Sequence, residues 1–283
     1  MDAPTIGVLR DVTLLVWLAL LIGVAAYKWI RQTRPTAAWN WEGRVDARPY
    51  QISDAVIVGA LSLMVLIGLQ RATPKPMETA DELNAVSMFM SIVLQLLVCA
   101  VLLFYIRAVR NLNPLEIFGL SRLPLHHIGA YALVLMIPTF MIVMATSAGV
   151  TTWMEGFWPE LQQQASVEAF RTSKDPMAKI MLVIAAVIVA PIVEETVFRG
   201  FIYGVIKRFT DSYFAALCSA LLFAAIHLHI GSLIPLSVLA LIFCFAYERT
   251  GSLAVPMTMH AIFNGSSLLL MILSPNLNDA NPG

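Results

Sequence analysis

Eight apolar runs, each close to the ~20 residues needed to cross a bilayer, limit what this chain can fold into. They lie at residues 12–30, 52–70, 85–106, 128–148, 178–198, 213–229, 232–247 and 253–273. In hydrocarbon the backbone must satisfy its own hydrogen bonds, and only helices and closed barrels do so. One helical membrane domain accounts for every run. The expected fold is an all-α polytopic membrane protein, a bundle of about eight transmembrane helices with an interior polar site. Composition supports it: 59% of the 283 residues are hydrophobic and 13% charged, against about 45–50% and 25% in soluble domains. The net charge is zero, so bulk electrostatics offer nothing to nucleic acid.

The first run resembles a signal peptide in position. Lys28, Arg31 and Arg34 follow it, while only Arg10, offset by Asp11, precedes it. That flank predicts a retained helix. The loops after helices 1, 3, 5 and 7 carry twelve Lys and Arg residues against six on the other side. The charge bias therefore places the N-terminus outside if all eight helices span. Residues 112–125 are too polar to span and suit an interfacial segment. Residues 155–177 form a polar stretch, read as a partly amphipathic helix over one mouth of the bundle. Cys99, Cys218 and Cys244 sit in apolar runs without C-x-x-C spacing and read as small buried hydrophobes.

Two adjacent acids, Glu194 and Glu195, end one of the most apolar stretches, KIMLVIAAVIVAPIV at 179–193. An ionisable group at membrane depth costs several kcal/mol and marks a functional site by default. Neighbours on a helix point about 100° apart, so the two acids have different jobs. Glu195 and Arg199 are spaced i,i+4 with the acid first, the favoured order for a pair. Glu195 is expected to be structural, leaving Glu194 as the catalytic candidate.

A turn is expected near Thr210–Ser212. Glu194 lies 17 residues before Asp211 and His227 lies 16 after it. At ~1.5 Å per residue the two stand level across a helical hairpin. Phe223 shares a face with His227, and His260 shares one with Asn264. An imidazole and a carboxamide on one face can both donate to a single oxygen atom. Two chemistries remain open on these residues. One is water activated by a carboxylate and a histidine, with an oxyanion held by the other pair. The other is a zinc site ligated by the glutamate and both histidines, although no H-E-x-x-H motif occurs. A transporter or scaffold with a buried polar network is a third reading. It lacks the second copy of the E-E segment that an inverted repeat would supply. His126, His127 and His229, near helix ends, read as structural.

The stretches APIVEETVFRGFIYG (190–204), LLFAAIHLH (221–229) and TGSLAVPMTMHAIFN (250–264) resemble the CPBP intramembrane proteases, the Abi or type II CAAX endopeptidase family. They match its E-E-x-x-x-R, F-x-x-x-H and H-x-x-x-N/D motifs in order. The resemblance covers roughly residues 178–270. It implies a CPBP-like core over 111–283, behind N-terminal transmembrane helices in 1–110. It also implies a glutamate-dependent endopeptidase that uses no cofactor. By similarity, Glu194 and His227 would activate water, His260 and Asn264 would form the oxyanion hole, and Arg199 would hold Glu195. Members of the family process prenylated CAAX proteins or peptide precursors. The expected partners are thus the lipid bilayer and a membrane-associated peptide or protein substrate, lipidated in some members. The expected location is a bacterial cell membrane, as a multi-pass protein.

Overall fold

A computed structural model describes residues 43–71, 84–155, 175–227 and 230–273, with isolated positions between 22 and 33. The first apolar run and most of the polar stretch 155–177 lie outside these residues.

Every regular element among the described residues is helical. In chain order they are α1 (Ile52–Arg71), α2 (Ala85–Phe104), α3 (Pro114–Ile117), α4 (Leu125–Glu155), α5 (Pro176–Phe209), α6 (Ser212–Ala225), α7 (Ile230–Thr250) and α8 (Ala254–Leu273). Five are long and apolar enough to cross a membrane: α2 with its extension to Val109, α4, α5, α7 and α8. In α1 the stretch Ile52–Met64, and the whole of α6, are apolar but shorter. Five of the eight expected spans are thus matched among the described residues, the second and sixth fall on the two shorter apolar stretches, and the first lies largely outside the described residues.

The outer faces are what lipid requires. On α2, Phe89, Met90, Leu94, Leu97, Val101 and Phe104 are all exposed. A water-soluble monomer does not carry an apolar face of that size. The chain is a multi-pass integral membrane protein.

Local sequence sets the helix starts. Asp175 accepts from the Met177 and Ala178 N–H groups, with Pro176 in the first turn, a pairing of cap and proline suited to a helix start. Asp211 caps α6 in the same way through the Phe214 N–H. The hairpin turn thus falls where Thr-Asp-Ser predicts it. Asp175 also accepts from the Ala85 N–H at 3.1 Å, which ties the start of α2 to the start of α5.

Two buried clusters organise the bundle. One joins α5, α6 and α7 with Tyr50, Ile106, Phe118 and Leu253. The other packs Ala132, Met136 and Val143 of α4 against Phe243 and Leu239 of α7 and Met259 and Phe263 of α8.

Residues 112–125, expected at the interface, are partly wedged into the bundle end. Phe118 is buried, and its carbonyl accepts from the Leu253 N–H at 2.9 Å. Both Phe118 and Leu253 press on Gly200 of α5, where a side chain would collide with the Phe118 ring. Gly119 makes the turn possible with φ 62°, and a Cβ there would strike the Gly251 carbonyl oxygen. An L-residue in this conformation costs about 1–2 kcal/mol before any clash. Gly119→Ala is therefore expected to lower the thermal midpoint of the detergent-solubilised protein by several degrees, read by intrinsic fluorescence. An unchanged midpoint would show that the wedge contributes little to stability.

A buried acid pins the segment before α1 to the same end. Glu248, fully buried on α7, receives the Tyr203 hydroxyl and the Lys207 ammonium. Lys207 also donates to the Val45 carbonyl at 2.9 Å, and the Arg44 N–H donates to the Glu248 carbonyl at 2.8 Å. Tyr50 reaches the Gly200 carbonyl at 2.6 Å.

Candidate active site

The helix that carries the two glutamates is not uniform. Within α5, Ala185–Val189 and Thr196–Tyr203 wind more widely than an α-helix, on either side of the α-helical turn Ala190–Glu195. Such π turns, with bonds reaching back five residues, recur at functional sites. Pro191 is the local cause of one irregularity. In the wide turn the donor due to the Ala186 carbonyl is residue 191, and proline has no N–H. The Asn264 carboxamide supplies the missing donor at 2.8 Å. Two more carbonyls of the second wide stretch are met from neighbouring elements, Phe198 by the Ser219 hydroxyl at 2.9 Å and Gly200 by Tyr50.

Between these stretches the two acids part company. The Glu195 side chain has no exposure, and Arg199 Nη1 donates to its Oε1 at 2.8 Å. The His260 Nδ1 lies 2.9 Å from the same oxygen. Arg199, itself fully buried, stacks its guanidinium 4.4 Å from the Phe223 ring centroid and 5.3 Å from that of Phe243. Two of its nitrogens, Nε and Nη2, and Glu195 Oε2 have no protein partner among the described residues. Glu194 is different. Its side chain is 21% exposed and its nearest charged contact is His260 Nε2, at 3.8 Å from Oε2. His260 therefore stands between the acids, one ring nitrogen toward each.

This arrangement assigns protons. A carboxylate only accepts, so Nδ1 of His260 donates to Glu195. In the neutral ring, Nε2 is then an acceptor; only the imidazolium offers Nε2–H as a donor. His227 is held by a similar rule. Its Nδ1 is 2.8 Å from the Phe223 carbonyl, which can only accept. That leaves Nε2 of a neutral His227 as its free base.

Of the residues singled out in the sequence, Glu194, Glu195, Arg199, Phe223 and His260 form one cluster. Phe223 is its hub, edge-on to His260 at 6.0 Å and tilted against His227 at 4.9 Å. His227 lies beyond the end of α6, which stops at Ala225, and its side chain is exposed. Asn264 shares the His260 face of α8 but spends one amide N–H on Ala186. Sequence reasoning missed Phe243, whose ring lies 5.4 Å from His260, and Ala186. The proline next to the acids was the available signal for the second. Glu194 and His260 are the pair that could begin a metal site. Among the described residues no three His, Cys, Asp or Glu side chains converge as a ligand set.

Residues 176–266, which hold this whole cluster, match the family model described as type II CAAX prenyl endopeptidase Rce1-like. The matched segment begins at the first residue of α5 and ends just past Asn264. The putative membrane peptidase YdiL of Bacillus subtilis (strain 168) is 33% identical over 98 residues. That alignment takes in 35% of this chain and spans only 40% of the relative's length. No solved structure matches the chain. The Rce1-like segment leaves out α1 and α2, and with them Tyr50, whose hydroxyl reaches into it at Gly200.

Proposed function

We propose that this chain is an intramembrane endopeptidase that hydrolyses a peptide bond in a membrane-associated peptide or protein. The observation that carries the reading is the unequal burial of the two acids. Glu195 is sealed and paired with Arg199 and His260, whereas Glu194 is partly open and has no Lys or Arg partner among the described residues. An unpaired carboxylate in an apolar helix bundle has a proton-transfer role available to it.

In the proposed reaction Glu194 takes one proton from a water whose second hydrogen is held by the free Nε2 of His227, as the water oxygen attacks the scissile carbonyl carbon. The carbonyl oxygen becomes an oxyanion. Protonated His260 donates Nε2–H to it, and the second amide N–H of Asn264 donates beside it. The C–N bond then breaks, and the proton held by Glu194 passes to the leaving amine. Glu195 acts through His260 by fixing its ring and tautomer, as the orienting acid of a hydrolytic triad does. The similarity of residues 176–266 to Rce1-like endopeptidases supports the substrate class, CAAX-type or peptide-precursor processing.

The scheme uses no cofactor. The test is release of a labelled fragment from membrane-anchored candidate peptides, prenylated and unprenylated, by the purified full chain. Release by the wild type and none by Glu194→Ala is the expected result. Activity is expected to survive 1,10-phenanthroline and EDTA. Loss under both chelators with rescue by zinc would replace the scheme with a metal-assisted one.

A further inference from the structure

A cavity of about 380 Å³ opens at the end of the bundle where the Asp211 turn lies, away from the glutamates. Three guanidinium side chains line it from three separate segments: Arg44 ahead of α1, Arg107 in the wide turn closing α2, and Arg122 after α3. The Arg44 and Arg107 side chains have no hydrogen-bond or ion-pair partner among the described residues. Arg122 gives one N–H to the Arg44 carbonyl at 2.7 Å and keeps the rest of its fork. The two acids of the wall are already engaged. Asp46 is gripped by Arg48, with N–O distances of 2.8 and 2.9 Å, and that guanidinium holds its carboxyl below the usual carboxylate range. Glu116 accepts from the Asn113 amide at 2.8 Å. Glu116 keeps its charge, so the lining carries three guanidinium groups against one carboxylate without a cation partner among the described residues. Within three residues of its lining along the chain, Phe104, Val109, Leu115 and Leu125 are exposed apolar side chains.

We propose that this cavity binds a phosphate-bearing anion, delivered by the headgroup of an acidic phospholipid or as free phosphate. Guanidinium forks match phosphate oxygens two at a time. With all eight apolar runs spanning, the Lys and Arg bias places this end on the cytoplasmic side, where anionic lipids give the leaflet a negative surface potential. A bound phosphate would join the segment before α1, the end of α2 and the loop that wedges Phe118 against Gly200, and so would stiffen that end of α5. The proposal does not depend on peptide hydrolysis.

The test uses the full chain, delipidated in a neutral detergent at low ionic strength. Its thermal midpoint is followed during titration with dioleoyl phosphatidylglycerol, dioleoyl phosphatidylcholine or inorganic phosphate. Phosphatidylglycerol is expected to raise the midpoint and phosphatidylcholine to leave it unchanged. Arg107→Ala removes no internal bond, so it is expected to fold normally and to need about fivefold more phosphatidylglycerol for the same shift. Arg44→Ala/Arg107→Ala is expected to need still more. A shift that depends on Arg107 and appears with inorganic phosphate alone would support the site and identify the soluble anion as its source. Identical titrations for the wild type and both variants, or no shift with either anion, would overturn the proposal.

Discussion

Glu194→Gln is expected to cut peptide release by about 10²–10⁴-fold, the range contributed by a positioned general base, while the protein folds and unfolds as the wild type does. Glutamine keeps the shape of the side chain but cannot take a proton at neutral pH. It also strands no Lys or Arg, because the one ionic contact of Glu194 among the described residues is His260 Nε2, at 3.8 Å, and the side chain is partly open. Single-turnover release measured beside the thermal midpoint separates chemistry from folding. A Glu194→Gln protein with wild-type release would remove Glu194 from the mechanism. The same substitution at Glu195 serves as the contrast. There the amide oxygen can still accept from Arg199 and His260, so a smaller loss of rate is expected, accompanied by some loss of stability.

Arg199→Met is expected to be the most damaging single change to the fold, at about 3–5 kcal/mol, the usual consequence of removing one partner from a buried ion pair. The charge left behind would be Glu195, which has no exposure and retains only the His260 ring. The loss also removes a cation stacked between the Phe223 and Phe243 rings, an interaction of the order of 1–2 kcal/mol when desolvated. Arg199→Lys is not a rescue, since an ammonium lacks the planar fork and stacks less well. The double change Glu195→Gln/Arg199→Met removes both charges, and is expected to be more stable than Arg199→Met alone. Unfolding midpoints in a graded SDS–detergent mixture give the comparison. An Arg199→Met protein as stable as the wild type would show that the pair is dispensable to the fold.

The readable part of this site was the part set by one helix. The i,i+4 spacing of Glu195 and Arg199 and the cap at Asp211 follow from local geometry alone. The contact between His260 and Glu195 spans 65 residues, and nothing in either motif states which acid the ring would choose. The wide turns were also hidden. A period of 3.6 residues per turn gives no sign of the orphaned Ala186 carbonyl or of its relief by Asn264. The sixth apolar run extends through residue 229, yet its helix stops at Ala225. Apolar composition continues past the point where backbone bonding ends, so His227 lies in a turn. Hydropathy likewise marked 112–125 as too polar to span, but it could not show that Phe118 is a wedge. Burial of that ring depends on a missing side chain at Gly200, 82 positions away.

The buried carboxylate of Glu248 bears on where this protein can be cut. The stretch that resembles known peptidases begins at residue 176, and a recombinant fragment could be started there on similarity alone. Such a fragment would keep Glu248, Tyr203 and Lys207 but lose the Val45 carbonyl that shares the Lys207 ammonium. It would also lose the backbone that closes over the acid at Arg44. The boundary of likeness is therefore not a boundary of cooperativity. Residues 44–50 are bonded to the helices that carry the glutamates and Glu248, through Arg44, Val45 and Tyr50. A two-piece version supplied in trans would have to carry that strip of chain with either half to regain a sealed end.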